Sequence, residues 1–172
     1  GSAKAVDMAL VREAAAALMS GEPKVLLIGG HAGLEKPLAL AGAIAEKTGA
    51  RLFSDTFVPR LSRGAGRARP ERVPYLGEMA VMMMKDFRHA VVVGTKAPVA
   101  FFAYPNKPST FLSPECKVHS PWSPEHDVTE VLAAIAEEVG AKVSVAPAAA
   151  PGATALPAAG KLSVESVGTA LA

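Results

Sequence analysis

Apolar residues recur at intervals of three and four residues along several stretches of the chain, which is the spacing of an amphipathic helix. The predicted helices cover residues 5–20, about 34–48, 78–85 and 128–139. Gly21, Gly49 and Gly140 follow three of these stretches directly, where glycine commonly ends a helix. The pattern therefore predicts four helices with defined ends, and Ser123, followed by Pro124, is the predicted N-cap ahead of the last one.

Two shorter runs between the helices are uniformly aliphatic. Residues 25–28 read Val-Leu-Leu-Ile, and residues 90–93 read Ala-Val-Val-Val. Runs this apolar are typical of strands that are buried on both faces of a parallel sheet. Two further strands are predicted at 51–54 and 116–119. The strand at 25–28, the glycine turn after it, the helix at 34–48 and the strand at 51–54 then form a βαβ unit with a right-handed crossover. This order predicts an α/β fold with a parallel sheet.

The segment from 56 to 76 shows little periodicity and is predicted to be a long loop. Five arginines lie in it: Arg60, Arg63, Arg67, Arg69 and Arg72. Loops of this length in a compact domain are usually functional or lie at an interface. The guanidinium group of arginine can donate two parallel hydrogen bonds to a phosphate or carboxylate group, so the cluster could be an anion-binding site. Alternatively, the arginines only solvate the loop or pair with a neighbouring domain.

The composition narrows the class of protein. Half of the 172 residues are hydrophobic but only 5% are aromatic, which fits a buried sheet covered by alanine-rich helices. The net charge of +2 gives no strong field that favours nucleic acid or a membrane as a partner. No apolar run approaches the roughly 20 residues that span a bilayer. Cys116 is the only cysteine, so no intramolecular disulfide forms, and a cytoplasmic location is expected.

The composition changes near residue 146. Residues 146–160 are alanine, proline and glycine with one threonine and one leucine, which is typical of a linker, and a helical pattern resumes at 161–172. We therefore expect a domain at 4–145, a linker at 146–160 and the start of a following domain at 161–172. Gly1-Ser2-Ala3 resembles the remnant of an expression tag, so the chain is expected to be a fragment of a longer polypeptide.

A glycine turn between the first strand and the second helix is the best-placed binding motif. It contains Gly29, Gly30, His31 and Gly33. Glycines let the backbone approach a phosphate, and a helix N-terminus offers free N–H groups at the positive end of its dipole. The spacing departs from Gly-x-Gly-x-x-Gly, although Asp55 stands after the next strand, near where a ribose partner would lie. The alternative is a tight turn that only connects strand to helix.

A second candidate follows the strand at 90–93. Thr95 and Lys96 come after Gly94, at the edge of the sheet where ligands bind in open parallel folds. We predict cofactor contacts from Gly29, Gly30, His31, Gly33, Thr95 and Lys96, although His31 could equally stabilise its loop without a ligand. The remaining histidines and Cys116 lack a compact metal-ligand spacing, and no Gly-x-Ser-x-Gly elbow is present. No catalytic or metal-binding residue is predicted.

Four stretches resemble the central domain of thiamine-diphosphate-dependent enzymes of the acetolactate synthase, pyruvate oxidase and benzoylformate decarboxylase type. Residues 23–30 resemble the first strand and glycine turn of that domain, residues 45–52 its helix end and second strand, and residues 90–96 the strand that ends in a Val-Gly-Ala-Arg motif. Residues 161–171 are similar to the first helix of the domain that follows. The resemblance covers most of the chain.

This resemblance implies a Rossmann-like parallel sheet of about six strands with helices on both faces. It also implies that chemistry occurs elsewhere in the parent enzyme, on thiamine diphosphate and magnesium held by the other two domains of the polypeptide, in a homo-oligomer. The Gly-Asp-Gly segment that binds this cofactor is absent from the chain. We therefore expect a domain without activity of its own, from a lyase or transferase that acts on 2-keto acids.

In some members of the family the central domain holds FAD, in others ADP, and in many nothing. Two of the flavin-binding features are missing. Residues 118–124 lack the Asp-x-Asp segment, and residues 76–80 stand where the family has Gly-x-His-Gly. We expect an empty or weak site and a mainly structural role. The alternatives are a module that binds FAD, ADP or a coenzyme A moiety, and a free-standing NAD-dependent enzyme.

Overall fold

The structure is a computed structural model that describes residues 3–64, 66–101 and 109–143, together with Ser163, Val164 and Val167. In the first three of these ranges the chain forms one parallel sheet of five strands in the order β3-β2-β1-β4-β5. The strands are β1 Lys24–Ile28, β2 Arg51–Ser54, β3 Glu71–Arg72, β4 His89–Val93 and β5 Lys117–His119. The α/β, Rossmann-like prediction is thus confirmed, with five described strands where about six were expected.

Four α-helices accompany the sheet within the same three ranges. They are α1 Met8–Met19, α2 Glu35–Thr48, α3 Gly77–Met84 and α4 Val128–Val139. Asp7 caps α1, because its carboxylate accepts hydrogen bonds from the N–H groups of Ala9 and Leu10. Gly49 and Gly140 end α2 and α4 with φ of 71° and 68°, the left-handed conformation that glycine adopts at little cost. The predicted helix ends were therefore correct to within a few residues.

Alternate residues of the central strands face two separate cores. Leu26 and Ile28 of β1, with Val91 and Val93 of β4, pack against α1, α2 and α4. The residues that alternate with these in β1 and β4 point to the other side of the sheet, where they pack with α3, Phe53 and Phe87. These last two rings meet edge to face at 6.2 Å. Helices thus lie on both faces, but three cover one face and a single short helix covers the other.

Two sequence-based details were wrong. The segment 56–76 contains β3, whose Glu71 and Arg72 pair in parallel with Phe53 and Ser54 of β2. Ser123 was predicted to cap the last helix, but α4 begins at Val128 and Asp127 is its cap. The strand β3 forms only through its pairing with β2, which local periodicity does not report, and Asp127 caps α4 through the N–H groups of Thr129 and Glu130.

The linker prediction at 146–160 lies outside the described residues. Of the helix predicted at 161–172, only three residues are described, and there the N–H of Val167 donates to the carbonyl of Ser163 at 3.0 Å, the four-residue spacing of an α-helix. Among the described helices, none is long and apolar enough to cross a membrane.

Candidate functional site

The carboxyl edge of the sheet brings Gly29, Asp55 and Thr95 into direct contact. The N–H of Gly29 donates to the carbonyl of Val93 at 3.1 Å, and the N–H of Asp55 donates to the carbonyl of Ile28 at 3.0 Å. These bonds hold the three strand ends together. The Asp55 carboxylate accepts a hydrogen bond from the Thr95 side chain. A Cβ at Gly29 would lie 2.6 Å from Cβ of Thr95 and would also collide with the Asp55 carboxylate, so this bridge covers the first glycine of the turn.

The environment of Asp55 makes its charge costly. Burial raises the pKa of the Asp55 carboxyl, and the hydrogen bond from Thr95 opposes that rise. The strand-end contacts leave the side chain only partly exposed. A carboxylate placed over Gly29 repels an anionic group that approaches this turn, which is the opposite of what a phosphate cradle requires.

Gly30 and Gly94 lie close together at the same edge, and both have a positive φ. Their φ values are 52° and 76°, which side chains other than glycine seldom adopt. A Cβ at Gly94 would meet the carbonyl oxygen of Gly29 and would lie 3.2 Å from Val128 of α4. Glycine is therefore required at 94 both by conformation and by space.

Gly33 has a packing role in the structure. It is the last residue of a short 3-10 turn, Gly30–Gly33, and it is buried. A Cβ there would collide with the carbonyl oxygen of Arg60, and the N–H of Ser62 donates to the carbonyl of Gly33 at 2.8 Å. Glycine at position 33 thus lets the loop after β2 pack against the turn, and this loop buries Gly33.

The larger cleft opens beside Gly30 and His31. It has a volume of about 1630 Å³ and lies between the 3-10 turn and the segment that leads into α4. Its walls carry the cations Lys4 and Arg60, the carboxylates of Glu125 and Asp127, and the ring of Trp122. Because Lys4 already pairs with Glu125 at 3.4 Å, the cleft has a mixed charge and no concentrated positive field.

His126 is a feature of this cleft that the sequence did not predict as a binding residue. Its Nδ1 accepts a hydrogen bond from the N–H of Ser123 at 3.0 Å and lies 2.9 Å from the Ser123 hydroxyl. Its Nε2 is buried and has no partner among the described residues. The accepting Nδ1 requires the proton on Nε2 in the neutral ring, so His126 is a donor without an acceptor in the cleft wall.

A second, smaller pocket contains two more of the predicted residues, whereas Gly29 and Gly33 line neither pocket. Thr95 and Lys96 line a space of about 240 Å³ together with Asp55 and the rings of Phe57 and Phe101. Gly30 and His31 line the larger cleft and not this one. The structure thus places the predicted cofactor residues on one edge of the sheet, but the four that line a pocket are divided between two pockets.

The first turns of α4 and α2 at this edge have fewer N–H groups available for an anion than an uncapped helix without proline offers. The Asp127 carboxylate accepts hydrogen bonds from the N–H groups of Thr129 and Glu130 at 2.7 and 3.1 Å, and these bonds lower the pKa of Asp127. The first turn of α2 includes Pro37, which has no N–H to donate. Two N–H groups of α4 that could face an anion are therefore occupied, and one position in the first turn of α2 has no N–H.

Arg67 and Cys116, two of the remaining sequence candidates, have structural explanations. Arg67 of the arginine-rich loop pairs with Glu35 at 2.7 Å. Burial raises the pKa of the Cys116 thiol, which disfavours the reactive thiolate. Within the described ranges, no group of three histidine, cysteine, aspartate or glutamate side chains is arranged to hold a metal ion.

Comparison with known proteins gives one close similarity. No family model matches the chain. The chain is 42% identical over 135 residues to "Putative acetolactate synthase large subunit IlvX" of Mycobacterium tuberculosis. The matched region is 78% of this chain and 26% of the relative, so the chain spans about a quarter of the length of the curated relative that it matches. By sequence, the chain is therefore similar to one part of an acetolactate synthase-like large subunit.

Proposed function

We propose that this chain is the central, non-catalytic domain of an acetolactate synthase-like enzyme that uses thiamine diphosphate and magnesium to act on 2-keto acids. Its role is to hold the catalytic domains of the same polypeptide in place within a homo-oligomer. The observation that carries this proposal is the 42% identity to a protein of which the chain covers only a quarter.

The surface of the domain supports a role in contacts between domains. Phe57, Tyr75 and Phe101 form an exposed aromatic cluster whose ring centroids lie 5.1 to 5.9 Å apart. These three rings are between 50% and 66% exposed. Leu76, Met79 and Met82 are also more than half exposed on the neighbouring helix and its preceding residue. Contiguous exposed apolar surface is typical of a site that another protein surface covers.

The strand ends support the absence of a bound nucleotide. The Asp55–Thr95 bridge covers Gly29, and the N-terminus of α4 is capped by its own Asp127. The binding of FAD, ADP or a coenzyme A moiety remains the alternative, and the volume of the larger cleft is the observation that favours it. The comparison does not favour a free-standing NAD-dependent enzyme.

The test uses the complete polypeptide from which the chain comes. Acid denaturation of the purified protein releases its tightly bound small molecules, which chromatography then identifies. We expect 2-keto acid consumption that requires thiamine diphosphate and magnesium, and no stoichiometric FAD or ADP. The isolated chain serves as the matched control and should be inactive. Activity of the isolated chain would contradict the non-catalytic role, and stoichiometric FAD or ADP would contradict the empty site.

A further inference from the structure

The smaller pocket combines an aromatic wall with one carboxylate. Its volume is about 240 Å³, and the rings of Phe57, Phe101 and Phe111 line it. The centroids of Phe57 and Phe101 lie 5.1 Å apart, so these two rings form a joint wall. Among the described residues that line the pocket, Asp55 is the only acid. The pocket is therefore mainly apolar, with a single negative charge.

The carboxylate of Asp55 has no cationic partner within the described residues. It accepts a hydrogen bond from the neutral side chain of Thr95, which opposes the rise in the pKa of Asp55 that burial causes. Lys96 lines the same pocket, but its side chain is exposed and forms no ion pair with Asp55. A partly desolvated carboxylate without a cation is costly, and a cation that enters the pocket would offset this cost.

Elsewhere in the chain, a similar set of groups already holds an arginine. Arg51 donates from Nε and Nη2 to the two carboxylate oxygens of Glu71, at 3.0 and 2.6 Å. Its guanidinium group also lies over two aromatic rings, 4.9 Å from the centroid of Phe53 and 5.7 Å from that of Phe87. A planar guanidinium group is suited to both contacts at once. The smaller pocket offers a carboxylate and aromatic rings without the arginine.

The size and surroundings of the pocket favour a side chain of another protein surface over a free small molecule. Its volume is below the range of about 300–1,000 Å³ that is usual for small-molecule sites. The apolar surface also extends beyond the pocket, because Tyr75 stacks on Phe101 at 5.8 Å and the adjacent Leu76 is 60% exposed. A small ligand would leave this surface in water, whereas a folded domain would cover it.

We propose that the smaller pocket receives one arginine side chain from another domain of the parent polypeptide, with its guanidinium group paired to Asp55 and packed against Phe57 and Phe101. An arginine that fills a pocket within an apolar patch is a common anchor of protein interfaces. This inference rests on the proposed function, because it requires other domains that contact the chain. It goes further by naming the charge and the position of the contact.

A capped arginine, N-acetyl-arginine amide, tests the pocket in the isolated chain. Its neutral counterpart with nearly the same shape, N-acetyl-citrulline amide, is the matched control. Nitrogen-15 NMR follows the backbone amides of Asp55, Phe57 and Thr95 during the titrations. We expect the dissociation constant of the arginine compound to be at least tenfold lower. Equal affinities, or no binding of the arginine compound, would overturn the proposal.

The variant Asp55→Asn identifies the group that binds the probe. It keeps an acceptor for Thr95, and an unchanged pattern of other amide signals checks its fold. We expect it to bind the arginine compound no more tightly than the citrulline compound. Asp86→Asn, the same change at an exposed aspartate, is the control and should bind as the unmodified chain does. Tight binding that survives Asp55→Asn would overturn the proposal.

The complete polypeptide distinguishes an arginine of another domain from a free ligand. Its pocket should already be filled, so the capped arginine should not bind at a concentration that saturates the isolated chain. Asp55→Asn should also lower the melting temperature of the complete polypeptide, a fall that the isolated chain does not show. Equal binding of the probe to both proteins would overturn the proposal. Failure of the proposed function is detected separately, as a lack of thiamine-diphosphate-dependent consumption of 2-keto acids.

Discussion

The two faces of the sheet differ in how completely they are covered. On one face, α1, α2 and α4 enclose a core in which residues such as Leu18, Leu26 and Leu132 are fully buried. On the other face, the eight-residue helix α3 covers a smaller core, and Met82 of that helix remains 68% exposed. The first face resembles that of a finished domain. The second leaves apolar side chains exposed, as the proposed contacts with other domains would require.

This difference predicts unequal effects of truncating apolar side chains. Leu132→Ala on α4 should lower the free energy of unfolding by about 3 kcal/mol, because it opens a cavity in the three-helix core. Met82→Ala on α3 should change it by less than about 0.5 kcal/mol in the isolated chain. Urea denaturation followed by circular dichroism measures both. Similar losses for the two variants would show that the second face is as closed as the first.

A pair of glycine variants tests how tightly the strand ends pack against α4. Gly94→Ala should cost several kcal/mol, since its Cβ meets both the Gly29 carbonyl and Val128 of the helix. Gly49→Ala has a similar positive φ but nothing within 4 Å, so it should cost only about 1 kcal/mol. Thermal unfolding distinguishes them. Equal costs would mean that conformation alone, and not close packing, requires glycine at 94.

Removal of the N-cap of α4, a helix of the well-covered face, should lower the stability of the chain by a moderate amount. Asp127→Ala should lower the stability by about 1 kcal/mol, because two N–H groups lose their acceptor. The pKa of Asp127 is lowered in the folded chain, so its contribution is present above the ordinary value of about 3.9 and is lost as the pH falls through the folded value. The difference between variant and parent should therefore shrink in acid. A difference that stays constant from pH 7 to pH 3 would contradict the charge-assisted cap.

The smallest expected effect concerns Asp55, in the pocket next to the less covered face. Burial raises its pKa, so the folded chain binds a proton more readily than the unfolded chain and loses stability as the pH rises past about 3.9. Asp55→Asn keeps an acceptor for Thr95 without the charge. Its melting temperature should rise relative to the unmodified chain between pH 4 and pH 7. A relative fall over that range would show that Asp55 has a cationic partner.

Strong periodicity explains which parts of the fold were predictable. The bounds of β1, β2 and α4 were correct because aliphatic runs and helical spacing mark them without reference to distant residues. The strand β3 was missed because Glu71 and Arg72 are polar and become a strand only by pairing with β2. Ser123 and Asp127 are both good N-cap residues, and the side chain of Asp127 is the one that accepts hydrogen bonds from the first turn of α4.

The candidate site was predictable only in part. The sequence correctly places Gly30, His31, Thr95 and Lys96 after strands of a parallel sheet, which puts them at one edge. It does not show that the Asp55–Thr95 bridge covers Gly29 or that the residues face two pockets.

A thermal-shift titration of the chain with FAD, ADP, NAD and coenzyme A tests the central claim most directly, namely that this domain holds no nucleotide and serves as a scaffold. A ligand at 100 times its dissociation constant adds about 2.7 kcal/mol of stability, which raises the melting temperature by several degrees. The account predicts no rise with any of the four. A clear rise with one of them, abolished by substitution of Arg60 or Trp122 in the larger cleft, would contradict it.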